Sequence, residues 1–171
     1  QSELGWIPKE WEVHELGSIC TWMSGGTPSK ANPEFWTGEI PWVSPKDMKV
    51  THIPDAIDHV SDAAIGNGTR IVPTGTILIV VRGMILAHSF PVAQTERPVA
   101  FNQDMKALVA GAGVNSNFIL WWLIANKALL LSVTTESTHG TKRLPTEALF
   151  ELKVGLPELE EQAAIAAVLS D

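Results

Sequence analysis

The sequence predicts an α+β fold: an irregular, Gly/Pro-rich β body with a helical pair at its C-terminal end. Three observations lead there. Short apolar runs are punctuated by 13 glycines and 11 prolines, which divide the chain into brief extended pieces. Only the stretch from Phe118 to about Leu131 is long and apolar enough for an internal helix. The final stretch, LPELEEQAAIAAVLSD, opens a second helix.

The elements follow in order. IPWVS (40–44), RIVP (70–73), GTILIVVRG (75–83) and ELKVGLP (151–157) read as strands. Thr76 to Val81 is β-branched and apolar between Gly75 and Gly83, so burial on both faces is expected. SDAAIGNG (61–68) reads as one helical turn, with Ser61 as N-cap and a Gly-Asn-Gly exit. After GAGVNSN, Asn115 or Ser116 caps the internal helix. Phe118, Trp121, Trp122, Ala125 and Leu129 make that helix apolar nearly all round, which predicts burial between the sheet body and a second helix. The second helix takes Pro157 at its first position and Glu158, Glu160 and Glu161 in its first turn, where the dipole favours negative charge. Ile165, Val168 and Leu169 share one face, and no Gly cap or Pro closes the helix.

At 171 residues and 45% hydrophobic content, one folded domain with a real core is expected. The single cysteine, Cys20, makes no internal disulfide, which suits a reducing compartment. The apolar run Phe118 to Ala125 is far shorter than the roughly 20 residues of a membrane span, so the expectation is a cytoplasmic chain with no membrane partner. The net charge of −7 is uneven. Residues 1–20 hold four acids and one lysine, and residues 144–171 hold six acids and one lysine. The centre, 21–143, holds ten basic and nine acidic residues, which leaves room for a basic face. Acids scattered for solubility are the plainer alternative.

Enzyme motifs are missing: there is no Gly-Lys-Ser/Thr phosphate loop, no G-x-G-x-x-G and no G-x-S-x-G elbow. NPEF (32–35) lacks the second proline of an amine-methylating tetrapeptide. No two histidines stand at metal-binding spacing, and Asp55, Asp58 and Asp62 read as a solvated face. A hydrolase built on His88 or His139 has no nucleophile–base spacing to support it. What remains is a set of polar loops. SGGTPSK (24–30) can hold an anion on backbone N–H groups and carries Lys30; the plain reading is a tight turn. SPKDMK offers Lys46 and Lys49, Arg70 opens the RIVP strand, and VRGMILAHS offers Arg82 and His88. FNQDMKA holds Asn102, Gln103 and Lys106; STHGTKR holds Thr138, His139, Thr141, Lys142 and Arg143. Arg and Lys pair with guanine, Asn and Gln with adenine, and hydroxyls with phosphate, so these loops are candidate DNA contacts. The structural alternatives are that Arg82 caps a strand edge and Asn102 bonds a turn.

GWIPKEWEVHELGSI (5–19), SGGTPSKANPEFWTGEIPWVSPKDM (24–48), VPTGTILIVVRG (72–83), FNQDMKAL (101–108) and LPELEEQAAIAAVL (156–169) occur in the order of a known family. The chain resembles one target-recognition domain of the DNA specificity subunit of type I restriction-modification systems. The resemblance implies a double β-helix-like body with a helical hairpin, reading one half of a bipartite target in double-stranded DNA through major-groove loops. It implies a non-catalytic chain without a cofactor of its own. Partner modification subunits bind S-adenosylmethionine and methylate adenine, and a restriction subunit cleaves; Mg and ATP belong to those partners. On this reading 1–155 is the recognition domain and 156–171 starts a spacer helix. That helix leads to a second recognition domain, or to a homodimer that reads a symmetric target. Ile165, Val168 and Leu169 become the partner-binding face. SGGTPSK and FNQD are family-wide strings, expected to hold loop shape or grip backbone, while 49–70, 84–100 and 132–143 carry specificity. The alternative function is a protein-interaction module that binds the modification subunit and has weak DNA affinity alone.

Overall fold

The computed structural model describes residues 7–136 and 140–170. The chain opens on β1 (Glu12–Glu15), the one-turn helix α1 (Leu16–Ile19) and β2 (Cys20–Ser24). Next come β3 (Ile40–Val43), β4 (His52–Ile53), β5 (Asp58–Val60), β6 (Ile71–Val72) and β7 (Ile77–Val80). β8 (Val92–Thr95), β9 (Val99–Phe101) and β10 (Met105–Ala110) complete the body. Then follow α2 (Ser116–Ala125), α3 (Lys127–Ser132), β11 (Thr135–Glu136), β12 (Lys142–Arg143), α4 (Thr146–Phe150), β13 (Lys153–Leu156) and α5 (Leu159–Ser170).

Two sheets make the body. The larger runs β2-β10-β7-β8-β4 and the smaller β5-β3-β9-β6. Most pairs are antiparallel, but β4 joins β8 and β3 joins β9 in parallel. The chain passes back and forth between the sheets: β2, β4, β7, β8 and β10 lie in one, and β3, β5, β6 and β9 in the other. Two ribbons, β1–β13 and β11–β12, flank them. The mixed α+β class with C-terminal helices is therefore present.

β7 is buried at every position, as its apolar sequence predicts, because β10 and β8 flank it and side chains cover both faces. Phe90, Phe101, Met105 and Leu108 join it in the main core. Trp42, Val60, Ala64 and Ala100 form a second, smaller core that Phe35 and Trp36 close.

Several expected elements differ. Residues 101–107 are not one loop: β9 and β10 flank a turn at 102–104, and Lys106 stands on a strand. Val92–Thr95 and Val99–Ala100 are buried strand residues, so that part of 84–100 is scaffold. The helical turn after Ser61 is a short 3₁₀ turn, Asp62–Ala64, and Ser61 does not cap it; its hydroxyl donates to the Glu34 carbonyl at 2.6 Å. Asn115 does cap α2, accepting from the Phe118 amide at 3.1 Å. The single expected helix to Leu131 breaks at Asn126, whose side chain donates to the Trp122 carbonyl at 2.8 Å. Such a side chain competes with the helix backbone for its own acceptor, and the chain restarts as α3.

α5 begins at Leu159, so Pro157 sits just before the helix rather than at its first position. It packs on α2, which also faces β8 and β10, as the all-round apolar sequence requires. The face it buries is not that of Ile165, Val168 and Leu169, the expected partner-binding face. Gln162 and Ala166 are buried and Ile165 is half-buried, whereas Val168 is 75% exposed and Leu169 50%. Gln162 explains the choice: its side chain accepts from the Asn115 amide (2.8 Å) and donates to the carbonyls of Gly113 (3.0 Å) and Pro157 (2.8 Å). A buried amide so fully satisfied fixes the helix rotation better than a methyl could.

Candidate nucleic-acid interface

The register of the larger sheet places several candidate loops at one end. Ser24, the last residue of β2, lies opposite Lys106 near the start of β10. Met105 lies opposite Val80, the last residue of β7. Ile79 lies opposite Val92, the first residue of β8. The segments 24–30, 81–91 and 102–104 therefore leave the sheet together.

Backbone hydrogen bonds lace these segments to others. The Gly26 amide donates to the Phe101 carbonyl at 2.9 Å. Val81 and Arg82 amides both donate to the Asp104 carbonyl, at 2.8 and 3.2 Å. Gly83 donates to the Lys142 carbonyl at 3.0 Å, and Leu144 donates to that of Val81 at 2.8 Å. The Thr69 hydroxyl donates to the Phe101 carbonyl at 3.2 Å and so ties in Arg70.

The side chains divide into held and free groups. Lys106 donates to the Ser24 hydroxyl at 2.6 Å, and Gln103 accepts from the Thr27 hydroxyl. Lys142 forms an ion pair with Glu136 at 2.6 Å. Lys30 stands 5.1 Å from the ring centre of Trp36, which meets Trp42 edge to face at 5.2 Å. Lys46 and Lys49 are exposed on a turn that Asp47 pins: its carboxylate accepts from the amide and hydroxyl of Ser44 and from the Ile57 amide. Arg82 and Arg143 face each other across an isolated β-bridge, both exposed, so Arg82 does stand at a strand edge. His88 is exposed just after the 3₁₀ turn Met84–Ala87, and Thr141 is half-buried. Thr138 and His139 lie outside the described residues. Lys46, Lys49, Arg70, Arg82 and Arg143 have no ion-pair partner among the described residues. An exposed cation left unpaired beside its neighbours suits an external anion.

Arg70 borders an open groove of about 570 Å³ between the 24–28 loop and the 65–71 turn. The two loops meet backbone to backbone. A Cβ on Gly26 would sit 2.1 Å from the Gly68 carbonyl oxygen, and Gly68 itself has φ of +117°. Both positions demand glycine, the first for closeness and the second for conformation.

The sequence did not single out Ser24, Thr27, Trp42 or Asp47, which hold the candidates in place. The Ser-x-x-Asp spacing of Ser44 and Asp47 was the one available signal. Asn102 does bond its turn, accepting from the Asp104 amide at 3.0 Å. Elsewhere, His59 pairs with Asp55 at 2.8 Å on an exposed edge. The Asp55 carboxyl is held below its ordinary value, first by the Ala56 amide and then by His59. Burial pushes the Cys20 thiol up to about 12, which leaves it protonated and unreactive. Among the described residues, no group of three His, Cys, Asp or Glu side chains could hold a metal ion. No helix among them is long and apolar enough to cross a membrane.

Comparison with known proteins places this geometry in context. A family model described as "Type I restriction modification DNA specificity domain" matches residues 8–171. The EcoR124I/EcoR124II specificity subunit of Escherichia coli is 34% identical over 162 residues, 94% of this chain and 40% of that protein. The MjaIX specificity subunit of Methanocaldococcus jannaschii is 32% identical over 177 residues, 99% of this chain and 39% of that protein. The chain thus spans about two fifths of the length of the curated relatives it matches. The fold is similar to that of the HsdS subunit from Thermoanaerobacter tengcongensis, with a TM-score of 0.74 at 20% identity over 99% of this chain and 39% of that one. It is also similar to the S subunit from M. genitalium, with a TM-score of 0.67 at 16% identity over 99% of this chain and 40% of that one.

Proposed function

Because the chain belongs to the family of type I restriction-modification DNA specificity domains, we propose that it reads one half of a bipartite DNA target. Partner modification and restriction subunits then carry out adenine methylation and cleavage, with S-adenosylmethionine, Mg and ATP bound by those partners. On a chain of this family, the observation that carries the reading is the set of unpaired cations around one laced end of the larger sheet. Lys46, Lys49, Arg70, Arg82 and Arg143 supply the free charge, with Lys30, His88, Gln103, Lys106, Thr138, His139, Thr141 and Lys142 beside them in the candidate set. The body is read as double β-helix-like. Residues 1–155 form the recognition domain and 156–171 begin a spacer helix towards a second recognition domain or a second copy. The setting is the cytoplasm.

Adenine methylation mapped across the genome, with and without this subunit, tests the proposal. A split motif that disappears with the subunit is the expected result. A methylation pattern that does not change overturns it.

One observation favours a second reading, in which the chain binds chiefly the modification subunit and DNA only weakly by itself. Ala164, Ile165, Val168 and Leu169 line an apolar patch on α5, in which Ala164, Val168 and Leu169 are exposed among the described residues and Ile165 is half-buried. Binding of the isolated chain to DNA at low salt, no different between target and scrambled duplex, would favour that reading.

A further inference from the structure

We propose that Asn102, Lys30 and Lys46 form a clamp for a single backbone phosphodiester, so that this part of the interface positions DNA and does not read its sequence. The inference rests on the DNA-recognition reading and assigns one subsite within it.

The site is a cleft of about 320 Å³ lined by Lys30, Trp42, Ser44, Pro45, Lys46, Asp58 and Asn102. Asn102 is only 7% exposed. Its Oδ1 accepts from the Asp104 amide, and its backbone amide donates to the Val43 carbonyl at 3.0 Å. The Nδ2 group, with two N–H donors, makes no hydrogen bond among the described residues. No buried side-chain nitrogen or oxygen among the described residues lacks a partner, so this amide opens onto the cleft, where its two N–H groups are available to an outside acceptor. The Ser44 hydroxyl is not a competing donor, because it already donates to Asp47 at 3.0 Å.

Charge selects the acceptor. Lys30 and Lys46 contribute two positive charges and Asp58 one negative, so the lining carries a net charge of about +1. A phosphodiester carries one negative charge and presents two unesterified oxygens, one for Asn102 Nδ2 and one for the ammonium groups. A terminal phosphate, with nearly two charges, would be less well matched beside Asp58. Trp36 orients Lys30 from outside, and the Trp42 indole donates to the Gly26 carbonyl at 3.0 Å, so the wall is rigid. Asn102 stands in the turn that the Oδ1 bond shapes, so its donor is preset rather than recruited.

The test uses the assembled complex with its modification subunit. Asn102→Asp keeps the Oδ1 acceptor and replaces the donor by an anion. The expected result is at least about a tenfold loss of affinity on target and non-target duplexes alike, with the ratio between them unchanged. The exposed Lys30→Gln/Lys46→Gln pair supplies an independent arm that does not depend on how the turn tolerates substitution. Its log–log salt slope should fall by about 0.9, the value for one phosphate, and not by twice that. A neutral methylphosphonate scanned along the target should weaken the wild type at one position and leave the lysine variant indifferent there. Unchanged binding in Asn102→Asp, a loss confined to one base-pair identity, or a salt slope that does not move overturns the clamp. If the wild-type complex shows no target preference at all, the functional reading fails instead, and the two failures are separable.

Discussion

Gln162 is the residue on which the C-terminal helix turns. It is 1% exposed and makes three hydrogen bonds to backbone groups, two just before α2 and one just before α5. Gln162→Leu keeps the volume but strands an amide and two carbonyls. Leaving buried polar groups unmade costs about 1–3 kcal/mol for each, although the Pro157 and Gly113 carbonyls can regain water. A loss of about 2–4 kcal/mol in urea-unfolding stability is expected. A midpoint unchanged from wild type would show that the helix rotation is set by packing alone. Cys20 gives a residue-scale pH effect. Its thiol titrates near 9 when unfolded and is pushed up to about 12 when folded, so the folded state holds its proton longer. Stability is then intact below about pH 9 and falls as pH rises from there. Cys20→Ala should flatten that decline, measured as the difference in unfolding midpoint between pH 8 and pH 10.

At the scale of elements, α5 has two faces with different fates. Gln162 and Ala166 face α2, while Val168 and Leu169 face outward. Val168→Asp with Leu169→Asp should change the melting temperature little, since exposed substitutions usually stay within about 0.5 kcal/mol. The same pair should abolish co-purification with the modification subunit if the exposed face is the docking surface. Normal yield of complex would remove that face from the assembly. The sequence showed the existence of this helix, a cap at Asn115 or Ser116 for the preceding one, and the fully buried β7. It read Ile165, Val168 and Leu169 as the partner-binding face but did not show that Gln162 and Ala166 are what α5 buries, because a hydrophobic pattern gives a lone glutamine no weight. The rotation depends instead on backbone groups around residues 113–115, which are remote in sequence. It likewise missed β9 and β10 on either side of Asn102. The polar letters of FNQD read as loop, and only pairing with β2, β3, β6 and β7 makes strands of their neighbours.

For the molecule as a whole, the candidate site follows from register rather than from any local motif. Ser24, Val80 and Met105 come from distant parts of the chain and reach one sheet end by pairing. The residue types in the loops were readable in sequence, but their gathering was not. Lys142→Ala with Arg143→Ala tests the gathering from the side of β12. Arg143 has no ion-pair partner among the described residues, and Lys142 is already paired with Glu136. The salt slope of DNA binding should therefore fall by about one phosphate's worth, roughly 0.9, rather than two. Affinity should drop on every duplex alike, as measured by titration across 50–200 mM salt on the order of the usual range. An identical slope would take the β11–β12 ribbon out of the interface.

The strand path has a mechanical consequence. Because the chain crosses repeatedly between two sheets, neither can be assembled from a contiguous stretch of chain, and most pairings must close large loops. Like a braid, the body holds only when every crossing is in place. A single protease cut at the exposed 96–98 turn would therefore loosen both layers at once, and digestion should pass from intact chain to small peptides without a surviving half.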